Sequence, residues 1–278
     1  MLSTGLAGLA LAASADSVGA RAAVDALVEA SHPMALEAAF PLEKTAAFRA
    51  VAALGPNAIP ALGERLESSD APGVRVLLGT ALFRIAGFTF YWHSGDETRD
   101  LGGLPLRHPQ GEPFPLLSCR IGREHLGAMP EMEIAWRAWQ QARRDLAGGS
   151  LREEIGGIGH VPDTASPDVV DTLHARYRLA QARYGICAVP ALVTRVHQHD
   201  DQLAFLTFLR IARPVRYQTL NAPPAPGPAL AHLASAWPSH ADRMSAVRAW
   251  WAEARPTFAL LPDLQGEIDA AVSALPEP

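Results

Sequence analysis

The chain has 278 residues, of which 49% are hydrophobic, enough apolar material for one large or two modest cores and too much for a disordered protein. Lys plus Arg number 24 against 29 Asp plus Glu, a net charge of -5 that argues against a general nucleic-acid binder, which needs a concentrated basic face. Two cysteines, Cys119 and Cys187, are too few for a disulfide scaffold; the sequence leaves their pairing open and sets no general base beside either to make it a nucleophile.

Leu2 to Ala13 is apolar, and Ala13-Ser14-Ala15 before Asp16 has the small-x-small form of a cleavage site, but no Lys or Arg precedes Arg21. Residues 1–15 therefore read either as an atypical export signal, giving a periplasmic or secreted protein, or as an N-terminal helix of a cytoplasmic one. No later stretch is long and apolar enough for a stable membrane span.

From residue 16 the spacing predicts a helical module extending to 147. Val18, Ala22, Ala26 and Val28 give an apolar stripe over 18–31, and Leu42, Ala46, Ala50 and Leu54 give another over 42–54, stopped by Gly55-Pro56. Helices over 58–67 and 73–86 follow, separated by the polar turn Ser68 to Gly73. The aromatic tract Phe88 to His93, a short strand-like segment or a continuation of the helix, comes next, then a Gly/Pro-rich irregular loop over 93–128, and then a helix carrying Trp136 and Trp139. A Gly/Pro-rich connector over 148–167 precedes a second module, 168–278, with helices at 168–184, 188–198 and 201–212. Within it, Asn221 to Pro228 is a proline-rich break before the terminal helices.

The two modules echo each other. Gly55-Pro56-Asn57-Ala58-Ile59-Pro60-Ala61-Leu62 returns as Gly185-Ile186-Cys187-Ala188-Val189-Pro190-Ala191-Leu192, and Arg84-Ile85-Ala86 returns as Arg210-Ile211-Ala212. Trp136-Arg137-Ala138-Trp139 likewise finds a counterpart in Val247-Arg248-Ala249-Trp250. Three matches in one order point to a duplicated module. The first copy, with Val74-Arg75 and Leu82 to Gly87 following Leu54 to Leu62, resembles a bacterial HEAT repeat. The second, through Tyr184-Gly185 and Ala188 to Leu192, resembles a degenerate copy in which Gln202-Leu203 replaces the Val-Arg step. The resemblance implies an all-α fold of antiparallel helix pairs in a short solenoid. Such repeats are protein-binding scaffolds, although some relatives process cofactors, hydroxylate proteins or excise damaged bases, so the resemblance speaks to architecture more than activity.

His197-Gln198-His199-Asp200-Asp201 is the densest candidate metal constellation, with His197, His199 and Asp200 as ligands; its alternative is a polar turn with a helix cap, since residues two apart do not share a helix face. Gly156-Gly157-Ile158-Gly159 lacks the Lys and Ser/Thr of a phosphate loop. The tryptophans read either as rings locking a helix across each repeat or as an exposed anchor rimmed by arginines. On the second reading Tyr91, Trp92, Arg137, Arg248 and Trp251 form the candidate protein-binding set. The expectation is a noncatalytic adaptor or inhibitor of an unidentified protein, needing no cofactor. A metal-dependent hydrolase or protein-modifying enzyme, and a nucleic-acid-binding repeat protein, are the alternatives; oligomeric state is not legible.

Overall fold

The computed structural model describes residues 17–30, 45–88, 91–93, 118–120, 135–159, 167–212 and 238–277. The segment 1–15, most of the loop 93–128 and the proline-rich break 221–228 lie outside them. The described residues are helical apart from a parallel pair of short strands: β1 (Tyr91–His93) falls in the aromatic tract read as a strand-like segment or a helix continuation, and β2 (Ser118–Arg120) falls inside the expected irregular loop. Among the described residues no helix is long and apolar enough to cross a membrane.

Helix α1 spans residues 17–30 and α2 is Ala46–Ala53, capped by the Thr45 hydroxyl, which accepts from Phe48 N at 3.0 Å. Of the predicted stripes only Val28 is buried, Leu54 is half-buried, and Leu42 lies outside the described residues. Ala20, Val24, Leu27 and Val28 are the buried residues of α1, and Val18 is 63% exposed; on α2 the buried residues are Phe48 and Val51. Alanine misled the reading, because a methyl group is too small to define which face is apolar.

Helices α3 (Ile59–Glu67) and α4 (Pro72–Ile85) complete the first module, and α1 is tied to α3 by the exposed ion pairs Arg21–Glu64 and Arg65–Asp25. Helix α5 (Ala135–Gly148) crosses to a helix the sequence reading did not contain. α6 (Ser150–Gly156) occupies part of the expected connector, because Gly149 adopts the left-handed conformation (φ 86°) and lets the chain break and restart a helix. The second module follows as α7 (Pro167–Tyr184), α8 (Val189–His199) and α9 (Gln202–Ala212). Its spans and those of α3 and α4 match the sequence expectation to within a residue or so.

The echoed stretches build the same local turn. Gly55 and Gly185 both sit at positive φ, 57° and 49°, and each opens a single 3-10 turn, Gly55–Ala58 and Gly185–Ala188. Each turn runs into a helix whose second residue is proline, Pro60 or Pro190, where a missing N–H costs nothing because first-turn donors have no helical acceptor. A third unit of the same kind closes the chain: α10 (His240–Ala254), a 3-10 turn at Arg255–Phe258, and α11 (Pro262–Ser273). It starts its turn with Arg255-Pro256 instead of glycine, so the sequence echo passes over it.

Hydrogen bonds tie the second turn to the end of α4 and the first turn to the third. Ile186 N donates to the Ala86 carbonyl at 2.7 Å, seating the second turn on the end of α4. Asn57 spans to the third turn, its Nδ2 donating to Pro256 O at 3.1 Å and its Oδ1 accepting from Leu260 N at 2.8 Å. The C-terminal unit thus touches the first module, and it also packs α11 against α8. Leu62, Leu78, Leu82, Leu192, Phe208, Phe258 and Ile268 are fully buried in one continuous hydrophobic cluster drawn from all three units.

Asp269 of α11 accepts from Trp251 Nε1 at 2.8 Å and from Arg255 Nε at 2.9 Å, and the Arg255 bond, aided by Trp251, holds its carboxyl below the ordinary range. A depressed carboxylate contributes stability that is present above its unfolded pKa and lost as pH falls through the lowered folded value. Asp269→Asn is therefore expected to be less stable than the parent at neutral pH, by less than about 1 kcal/mol at so exposed a site. The gap should close in urea titrations taken below about pH 4. A gap that persists at low pH would assign the loss to packing instead of charge.

Candidate interaction surface

The turn between α8 and α9 separates two neighbouring aspartates. Asp200 is the C-cap of α8 and takes the left-handed conformation (φ 52°), which swings its carboxylate outward. There Oδ1 meets His240 Nδ1 at 2.7 Å and also Arg243 Nη2, both on α10. Partial burial pushes the Asp200 pKa up, but the hydrogen bonds from Arg243 and His240 bring it below its ordinary value. The His197 and His240 rings stack with centroids 6.4 Å apart, and His199 is exposed. Among the described residues no group of three His, Cys, Asp or Glu side chains is arranged to hold a metal. The candidate set His197, His199 and Asp200 is not brought together; Asp200 instead ties the second module to the C-terminal unit.

Asp201 turns inward and is 4% exposed. Its Oδ1 accepts from the backbone N–H of Leu203 and Ala204, both at 3.0 Å, capping α9. Its Oδ2 accepts from Tyr177 Oη at 2.6 Å and Arg195 Nε at 3.0 Å. Arg195 also donates to Tyr177 Oη at 2.7 Å and, through Nη1, to Gly156 O at 2.8 Å. Burial first, and then the Asp201 carboxylate, pushes the Tyr177 hydroxyl above the ordinary phenol range, so it remains a donor at neutral pH. The result is a satisfied network pinning α6, α7, α8 and the start of α9. Its signal in the sequence was the cap residue Asp201; nothing local indicated that Arg195 and Tyr177 would meet it.

A second buried group lies between α6 and α7. Arg183 Nη1 pairs with Glu154 at 2.7 Å, and Tyr184 Oη donates to Glu154 Oε2 at 2.6 Å. In the 3-10 turn after α7 the Cys187 thiol is free, fully buried and pushed well above its ordinary pKa by that burial. Such a thiol is inert as a nucleophile at neutral pH.

The tryptophans belong largely to the interior. Trp139 is buried, and Trp250 meets Phe208 edge to face at 5.1 Å. Trp251, 4% exposed, packs on Phe258 at 5.2 Å. This corrects the expectation for Trp251: its ring is enclosed and its N–H already bonded, so it supports a surface without presenting one. Trp136 lies across α3 over Gly63, where any Cβ would come within 2.4 Å of the ring, and its Nε1 donates to Glu67 at 2.6 Å. Three further arginines are paired within the chain at its surface, Arg143 with Asp263, Arg255 with Asp269 and Arg144 with Gln141.

Arg137 is exposed on α5, and Arg248 is half-buried on α10 with a buried Nη2 that has no hydrogen-bond partner among the described residues. Tyr91 and Trp92 stand on β1, next to α7, and their side chains lie outside the described ones. No protein-family model matches the chain, and no curated protein or solved structure is significantly similar to it.

Proposed function

We propose that this chain is a noncatalytic adaptor or inhibitor that binds another protein through a HEAT-like helical surface, in the manner of an immunity protein. One observation carries the reading most: the echoed stretches form the same glycine-opened turn, and a third helix–turn–helix unit joins them in one core. Such a framework buries its apolar faces on itself and leaves a broad, rigid exterior of helix ridges. The paired acidic and basic side chains within it also serve the framework. Asp201 caps a helix, Glu154 neutralises Arg183, and Asp200 holds the C-terminal unit. Tyr91, Trp92, Arg137 and Arg248 remain the candidate contact residues, and the enclosed Trp251 leaves the set.

The test is native co-purification with the full-length chain, followed by affinity measurement on Arg137→Glu. Reversing an exposed interface charge is expected to weaken binding by about tenfold with the melting midpoint unchanged. Persistent failure to recover any protein partner would count heavily against the adaptor reading, and unchanged affinity would remove Arg137 from the contact set.

A further inference from the structure

Glycine stands at both ends of α6, Gly148 and Gly149 before it and Gly156 and Gly157 at its close. Gly149 needs its left-handed backbone, but Gly148 and Gly156 are helical, and a Cβ on either would meet nothing within 4 Å. The closed fold therefore sets no steric requirement for glycine at these two places, and alanine would make each a better helix residue. What glycine adds there is freedom for the backbone to turn.

The contacts that hold α6 reach three other helices. Glu154 pairs with Arg183 at 2.7 Å and accepts from Tyr184 Oη at 2.6 Å, both on α7. The Gly156 carbonyl accepts from Arg195 of α8 at 2.8 Å, and Arg152 pairs at the surface with Glu267 of α11 at 2.5 Å. Leu151 and Ile155 are fully buried. The segment thus starts from α5, lies against two helices of the second module and touches the C-terminal unit.

The rest of the framework does not depend on it. With α6 lifted, Arg195 keeps Asp201 and Tyr177, so the cap of α9 survives the loss of the Gly156 bond. The C-terminal unit keeps its ties to Asn57 and Asp200. Seven residues are too few to stay helical alone in water, so lifting α6 also melts it and frees its amides.

We propose that α6 is a hinged strap that opens locally about its flanking glycines, uncovering Arg183, Tyr184 and Arg195 on α7 and α8 while the three units stay joined. This movement goes beyond the adaptor reading and does not rest on it. The test is hydrogen exchange of the full-length chain, read by mass spectrometry on peptides covering 150–158, 167–184 and 189–199. Strap amides should exchange at least about a hundredfold faster than those of α7 and α8, and with a shallower dependence on urea, because local opening exposes less surface than global unfolding.

Two variants separate strap opening from unfolding. Gly148→Ala/Gly156→Ala, which fits the closed structure, should slow strap exchange about tenfold or more. Asn57→Ala, which breaks the first turn from the third, should speed exchange in α7 and α8 by about tenfold and leave the strap unchanged. Strap amides that exchange at the rate and urea dependence of α7 and α8 would overturn the proposal. So would a glycine variant with unaltered strap exchange, or an Asn57→Ala variant that speeds strap and core alike.

Discussion

Gly185→Ala is expected to destabilise the protein by about 2–5 kcal/mol, one of the two largest effects of a single substitution here. Two independent penalties meet at this residue. Its φ of 49° is left-handed, which costs a residue bearing a Cβ about 1–2 kcal/mol. The added methyl would also stand 2.2 Å from the Ala86 carbonyl oxygen and 3.0 Å from the Phe88 ring. Neither atom is the free end of a flexible side chain. Relief requires the second turn to lift off α4, breaking the Ile186 N to Ala86 O bond and leaving buried polar groups unpaired, for about another 1–3 kcal/mol.

Gly149→Ala supplies the control. That glycine has φ 86° and open space where a Cβ would go, so only the conformational cost of about 1 kcal/mol applies. Urea midpoints of the two variants, compared at equal m-values, check the argument. Equal losses would mean that the close approach of the turn to α4 carries no stability.

Asp201→Ala is the second large effect, with an expected loss of about 3–5 kcal/mol, because one change removes a helix cap and strands a buried cation. Leu203 and Ala204 N–H groups lose their acceptor, and Arg195, 6% exposed, loses the only carboxylate among its bonded partners. Tyr177→Phe should be far milder, about 1 kcal/mol, since Arg195 keeps both Asp201 and the Gly156 carbonyl. The double variant should cost less than the sum of the two, because Tyr177 has no carboxylate to bond once Asp201 is gone. Chemical unfolding of the four proteins in a double-mutant cycle gives the coupling directly. Strict additivity would contradict the network.

The helices of both modules were legible because their signals are local. Glycine at a helix end, proline just inside the next helix and a polar turn between two apolar runs act over a few residues, and the spans of α3, α4, α7, α8 and α9 came out close to expectation. The faces of α1 and α2 were misread, since alanine is compatible with either side and the burial of Val24, Leu27, Phe48 and Val51 depends on neighbouring helices. Helix α6 was missed because its glycine-flanked sequence reads as linker, and the third turn because it uses Arg255-Pro256 in place of glycine.

For the candidate site the balance differs. Composition indicated that Trp136, Trp139, Trp250 and Trp251 mattered, but an enclosed ring and a docking anchor have the same sequence signature. The choice is made by what lies opposite, here Phe208, Phe258 and Gly63. Similarly, His197, His199 and Asp200 are close in sequence without converging. Asp200 and its neighbour Asp201 point to different partners because the backbone turns left-handed between two helices.

By itself, then, the amino-acid sequence determined a mainly helical framework and the glycine turn that it uses twice, through steric rules that hold residue by residue. Only the tertiary structure decided that a third unit joins them, and that Asp201 is buried with Arg195 while Asp200 faces α10. Those outcomes depend on contacts between residues far apart in the chain, for which no local spacing carries a signal.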